Sequence, residues 1–183
     1  MRGSIHDGSE TADKAIAMEA MPKYDLFLSQ VIDFLTDCFP GENFTRNIIQ
    51  NYIKSEVISK PFHGRKRGYT RMHLIQLVLL CYMRPVLTSD EIKKVFSLAF
   101  NDINNSEDDI ITWENAYSIF TRIYEDNTLS GRGEDEDRIR SYLQNLKLSE
   151  MDMERIKSFI SVLILIATSS SIKRKVRGIL EKA

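Results

Sequence analysis

Cysteine is scarce in this 183-residue chain: Cys38 and Cys81 are the only two. Both sit in apolar surroundings, and neither belongs to a CxxC pair. That excludes a disulfide scaffold and points to two reduced core thiols. The three histidines (His6, His63 and His73) have no ligand spacing, so no metal site and no cofactor is expected. Long apolar runs are missing too. The longest is nine residues, Phe159 to Ala167, with one serine inside. A membrane span needs about 20, and residues 1–20 carry acids, Gly and Ser instead of a signal-peptide core. The expectation is a soluble cytoplasmic protein with no membrane partner and a flexible N-terminal tail over 1–20. No phosphate loop, nucleophile elbow, zinc motif or paired catalytic carboxylates are visible, which argues against an enzyme.

Strand-like alternation is nearly absent, apart from a short stretch around residues 57–69. The periodicity is otherwise helical, and the fold class is all-α. Apolar residues from Leu26 to Phe39 recur at three- and four-residue spacing, predicting a helix over 24–39 that Pro40-Gly41 ends. Thr45 caps a second helix to about Glu56. Lys60 to Gly68 is a break, and Thr70 then opens a helix to Arg84 that is apolar all round and therefore central. Thr88-Ser89-Asp90-Glu91 is a capping-box pattern opening a helix to about Phe100. Beyond an acidic loop over 101–109, helices are predicted over 113–126, 136–146 and from Ser149 onward, the last breaking at 168–171. Residues 127–137 read as an exposed linker. Two regions are expected, 21–100 and a C-terminal helical region over 101–183.

The net charge of −1 hides an asymmetry. Residues 45–84 hold eight cations (Arg46, Lys54, Lys60, Arg65, Lys66, Arg67, Arg71 and Arg84) against one acid, Glu56, a balance of +7. The remainder holds 17 cations and 25 acids, a balance of −8. A cationic face attracts phosphates whatever the base sequence. The second helix also offers Asn47, Gln50 and Asn51 beside Arg46 and Lys54, side-chain types that read base edges. A helix for the major groove, followed by a basic wing for the backbone, is a workable duplex reader. A solvated cationic surface is the plainer reading of the same residues, and an acidic peptide or RNA would satisfy the same charge.

These residues resemble a family. Thr45 to Pro61, TRNIIQNYIKSEVISKP, resembles the recognition helix and exit of MerR-type winged helix-turn-helix regulators. Arg67-Gly68-Tyr69-Thr70, with Leu74 beyond, is similar to that family's wing signature, and Leu87 to Ile92 to the start of its next helix. The likeness is closer still to a bacterial family of MerR-like proteins classed as a domain of unknown function. Those proteins pair a helix like the one at Asp25-Leu26 to Val31-Ile32 with such a helix and wing. The likeness covers about residues 22–100. It implies a MerR-like winged helix-turn-helix with a small wing hairpin over 62–69. Arg46, Asn47, Gln50 and Lys54 would then face the groove of double-stranded DNA, and Arg67 and Tyr69 would touch its phosphate backbone, with Arg65 and Lys66 as wing cations; Thr45, Asn51 and Arg71 complete the expected DNA-binding set. Tyr52 fits a phosphate contact less well than the core. Glu56 stands where the family usually has Gly, and the usual C-terminal coiled coil is not evident as a clean heptad.

In the second half, Met153, Ile156, Phe159, Ile160, Leu163 and Ile166 form an apolar stripe, to be buried within the subunit or in a homodimer that would suit a palindromic site. Trp113, Tyr117, Phe120 and Tyr124 share a helix face. That face is a core side or an aromatic pocket for a cationic effector, with Glu114 and Glu125 nearby. Lys173, Arg174, Lys175 and Arg177 complement a helix C-terminus or make a second phosphate contact. The expected function is DNA-binding transcription regulation, the operator and any small-molecule effector being unknown. The alternative is a non-enzymatic protein–protein interaction module reusing the helix-turn-helix fold.

Overall fold

The structure is a computed structural model that describes residues 15–61, 68–130 and 136–181. Among these residues it is all-helical, with α1 (Leu28–Cys38), α2 (Arg46–Lys54), α3 (Arg71–Met83), α4 (Ser89–Ser97), α5 (Trp113–Ser130), α6 (Glu136–Leu143) and α7 (Glu150–Leu180). The caps read from the sequence are present. Thr45 Oγ1 accepts from the Ile48 N–H at 3.3 Å. Thr88 and Glu91 form a capping box, and Ser149 Oγ accepts from the Asp152 N–H.

Helix α3 organises the core. Every residue from His73 to Met83 is buried. A helix with no polar face has to be enclosed, and α5 and α7 pack on it, with α6 in turn on α7 and α5. One continuous apolar cluster runs from Leu26 and Leu35 through α3 to Ile160 and Leu163. The core therefore joins the regions on either side of residue 100. Ser170 Oγ, itself buried, donates to the Tyr82 carbonyl at 2.8 Å and pins α7 to α3.

Several expectations change. Of residues 15–20, assigned to a flexible tail, Ala15, Ile16 and Met18 pack against the core. The Ile16 N–H donates to the Tyr82 hydroxyl at 3.2 Å, and the Tyr117 hydroxyl donates to the Ile16 carbonyl at 2.6 Å. Those two phenols would otherwise be buried without partners. Helix α1 starts at Leu28, four residues later than expected, and α5 runs through Ser130 into the expected linker. Helix α7 does not break at 168–171. Thr168 Oγ1 donates back to the Ile164 carbonyl at 2.8 Å, so the hydroxyl is satisfied within the helix. Its apolar stripe is buried within the chain at Ile156, Phe159, Ile160, Leu163 and Ile166. Among the described residues, α7 alone is long and apolar enough to cross a membrane, and 56% of its apolar window is buried inside the chain.

Helix α2 ends in a Schellman turn. The Val57 N–H donates to the Tyr52 carbonyl at 2.9 Å and the Glu56 N–H to the Ile53 carbonyl at 3.0 Å. This places Glu56 at φ 56°, the left-handed conformation that glycine adopts most readily. A residue with a Cβ thus occupies a conformation that suits glycine, and the Cβ bears the strain. Replacing Glu56 by Gly should stabilise the fold by about 0.5–1 kcal/mol. The exposed Glu56–Lys60 pair at 3.6 Å contributes too little to offset that gain. Thermal melts should show Tm about 1–3 °C higher; an unchanged or lower Tm contradicts the strain.

Candidate nucleic-acid interface

Helix α2 is short and divided lengthwise. Ile49 is buried, Ile48, Tyr52 and Ile53 are half-buried, and they point to one side. Arg46, Asn47, Asn51 and Lys54 are exposed and Gln50 is half-buried. At about 100° per residue these five share the opposite face. Thr45 is exposed, but its hydroxyl is engaged in the cap. The structure thus brings the predicted helix residues onto one open surface.

The segment after α2 is held at both of its described ends. Val57, Ile58 and Ser59 are buried. The Ser59 N–H and Oγ both donate to Gln76 Oε1, at 3.0 and 2.8 Å. The Lys60 N–H donates to Asn104 Oδ1 at 2.9 Å. On the far side, the Thr70 N–H donates to His73 Nδ1 at 3.1 Å, while His73 Nε2 lies 3.3 Å from the Lys60 carbonyl. This pattern suits a neutral ring with its proton on Nε2, a tautomer inferred from the partners. His73 therefore closes the base of the cationic segment, joining residue 60 to residue 70.

Arg65, Lys66 and Arg67 lie outside the described residues. So does most of the expected wing hairpin. Its described flank pairs elsewhere: Tyr69 makes an isolated antiparallel bridge to Leu26, with the Leu26 N–H donating to the Tyr69 carbonyl at 2.8 Å. The segment before α1 is thus the partner of Tyr69. Its ring is buried and meets the His73 ring edge-on at 5.8 Å. Burial pushes the Tyr69 phenol up, and the nearby Arg46 charge opposes that shift. Arg71, expected among the DNA-binding residues, is half-buried and donates through Nη2 to the Met18 carbonyl. It ties the N-terminal segment to the start of α3.

The aromatic stripe is core. Trp113, Tyr117, Phe120 and Tyr124 are each at most 3% exposed. Trp113 stacks on Phe100 with centroids 3.5 Å apart, and Phe120 contacts Tyr82, Tyr117 and Tyr124. Glu114 and Glu125 are exposed. The rings fill one another's space, so no effector cavity opens among them. Among the described residues, no group of three or more His, Cys, Asp or Glu is placed to hold a metal ion. Both thiols are free; burial raises Cys38 to about 11 and Cys81 well above its ordinary value.

Sequence reading missed the His73–Gln76 clamp. The available signal was two polar side chains three apart in an otherwise apolar helix, groups that need partners when buried.

The described residues define an all-helical protein whose central helix bonds residues 59–60 and residue 70, the described flanks of a cationic stretch, and which carries an open polar helix. A family model described as Domain of unknown function (DUF1836) matches residues 16–120, more than half of the chain, and the protein belongs to that family. No curated protein and no solved structure matches the chain significantly.

Burial lowers the His73 pKa below its ordinary 6.5, against smaller opposing effects of the Lys60 carbonyl and Asp25. The unfolded chain therefore takes this proton first. The clamp's contribution is full above about pH 6.5 and is lost as pH falls below it. Tm should drop between pH 7 and pH 5 in the wild type, and His73→Gln should remove that part of the drop while lowering Tm at pH 7. Identical pH slopes in the two proteins would show that His73 is not the titrating group.

Proposed function

We propose that this protein is a DNA-binding transcription regulator whose α2 enters the major groove while the cationic segment over 62–69 lies on the phosphate backbone. The observation that carries the reading is the exposed face of Arg46, Asn47, Asn51 and Lys54 on a helix whose other side is packed. These side chains offer a guanidinium, two amides and an ammonium in one patch. Amides pair with adenine, guanidinium with guanine, and ammonium with phosphate. The clamp at His73 and Gln76 supports it. It fixes residues 59–60 after α2 against α3, at the described flank of the stretch that holds Arg65, Lys66 and Arg67, which suits a reader that pairs a groove helix with a backbone contact. The likeness to MerR-type winged helix-turn-helix regulators agrees, and a regulator of this kind would act in the cytoplasm. Thr45, Tyr69 and Arg71 then serve as supports of the reading surface, since each is engaged within the chain.

A second reading, a protein-interaction module, is favoured by one observation. Leu165, Ile172, Val176, Ile179 and Leu180 are exposed along one face of α7. Such a stripe suits a helical partner or a second copy.

Selection of genomic fragments by the purified protein, followed by electrophoretic shifts at two salt concentrations, separates the readings. For a regulator, Asn51→Ala should cost about 1–3 kcal/mol on the selected fragment and little on random DNA. Joint replacement of Arg65, Lys66 and Arg67 by Ala should weaken all DNA binding and flatten the log–log salt slope by up to about 3. No shift at low salt would remove the DNA reading.

A further inference from the structure

An open cleft of about 420 Å³ lies where the α1–α2 turn, the end of α3 and the distal part of α7 meet. Glu42, Asn43, Tyr52, Arg84, Lys173 and Arg177 line it. The three cations come from two segments far apart in the chain, Arg84 after α3 and Lys173 and Arg177 on α7, so their meeting is a product of the fold. Arg84 is half-buried, pairs with Glu42 and lies over the Phe44 ring, 4.8 Å from its centroid. Lys173 Nζ donates to the Pro85 carbonyl at 3.1 Å. Glu42 supplies the one carboxylate in the lining, which leaves two positive charges unmatched inside the cleft. Tyr52 and Asn43 add neutral hydrogen-bonding groups.

We propose that this cleft is a binding site for a small polyanion, a ligand carrying at least two phosphate or carboxylate charges. Its volume is that of a small-molecule site. A guanidinium already fixed by a carboxylate and an aromatic face is pre-organised for an incoming anion, and Lys173 and Arg177 supply an ammonium and a second guanidinium from α7. The cleft does not belong to the candidate nucleic-acid face. Tyr52 stands on the side of α2 nearly opposite Arg46, Asn47, Asn51 and Lys54. A bound anion would tie the turn between α1 and α2 to α7. That coupling makes the cleft a place from which a metabolite could act on α2.

The test is titration calorimetry of the full chain, without DNA, at fixed ionic strength. Inorganic pyrophosphate and tricarballylate serve as the phosphate and carboxylate probes, and chloride as the control. At least one probe should bind stoichiometrically where chloride does not, and the stronger one names the ligand class. Lys173→Gln with Arg177→Gln removes two exposed cations without touching the core, and should weaken that binding about tenfold or more. Tyr52→Phe should weaken it less and leave the fold intact. Absence of binding by both probes, or affinity unchanged in the double variant, overturns the site. Because no DNA is present, either result is independent of the regulator reading.

Discussion

The burial of α3 on every side sets the terms for the rest of the molecule. From His73 to Met83 no residue faces water. A helix of that kind cannot sit at the edge of a bundle, because water would meet leucine whichever way it turned. It needs cover all round. The chain supplies it with α5 and α7, with Leu26 and Leu35 from the N-terminal side, and with Met21 and Ala15 from the segment before α1. The family match from residue 16 to residue 120 takes in α3, the N-terminal cover and the first part of α5, and stops before α7.

The same burial explains how the candidate interface is held. Two polar side chains, His73 and Gln76, are enclosed with the apolar ones. Each costs free energy unless bonded. Their partners are Ser59, the Lys60 carbonyl and Thr70, the residues that bound the cationic segment. Satisfying the His73 ring and the Gln76 carbonyl oxygen in the core therefore fixes the path of the chain at the surface. Core and candidate site share one set of hydrogen bonds.

Charge is sorted by the fold more finely than by the sequence. The block over 45–84 carries +7, but its members have different fates. Arg46 and Lys54 stay in solvent on α2, Arg71 is drawn to the Met18 carbonyl, and Arg84 is taken by Glu42. Lys173 and Arg177, remote in sequence, join Arg84 at one cleft. Glu56 shows a related priority. The Schellman hydrogen bonds and the burial of Val57 and Ile58 behind it hold the turn even though Glu is a poor residue for it.

The sequence by itself determined the helical class, the caps at Thr45, Thr88 and Ser149, and the central place of α3. Each rests on interactions within a few residues or on the period of one helix, and these are written locally. It also determined which side chains α2 offers on its polar face, since a 3.6-residue period sorts them without outside help. Only the tertiary structure decided that Ala15, Ile16 and Met18 join the core and that α7 continues unbroken through Ser169-Ser170-Ser171. It alone sent Tyr69 to Leu26 and Arg71 to Met18. In each case the deciding partner lies dozens of residues away, where no local pattern can point to it. A buried hydroxyl such as Ser170 Oγ reads as a helix breaker until the Tyr82 carbonyl is placed beside it.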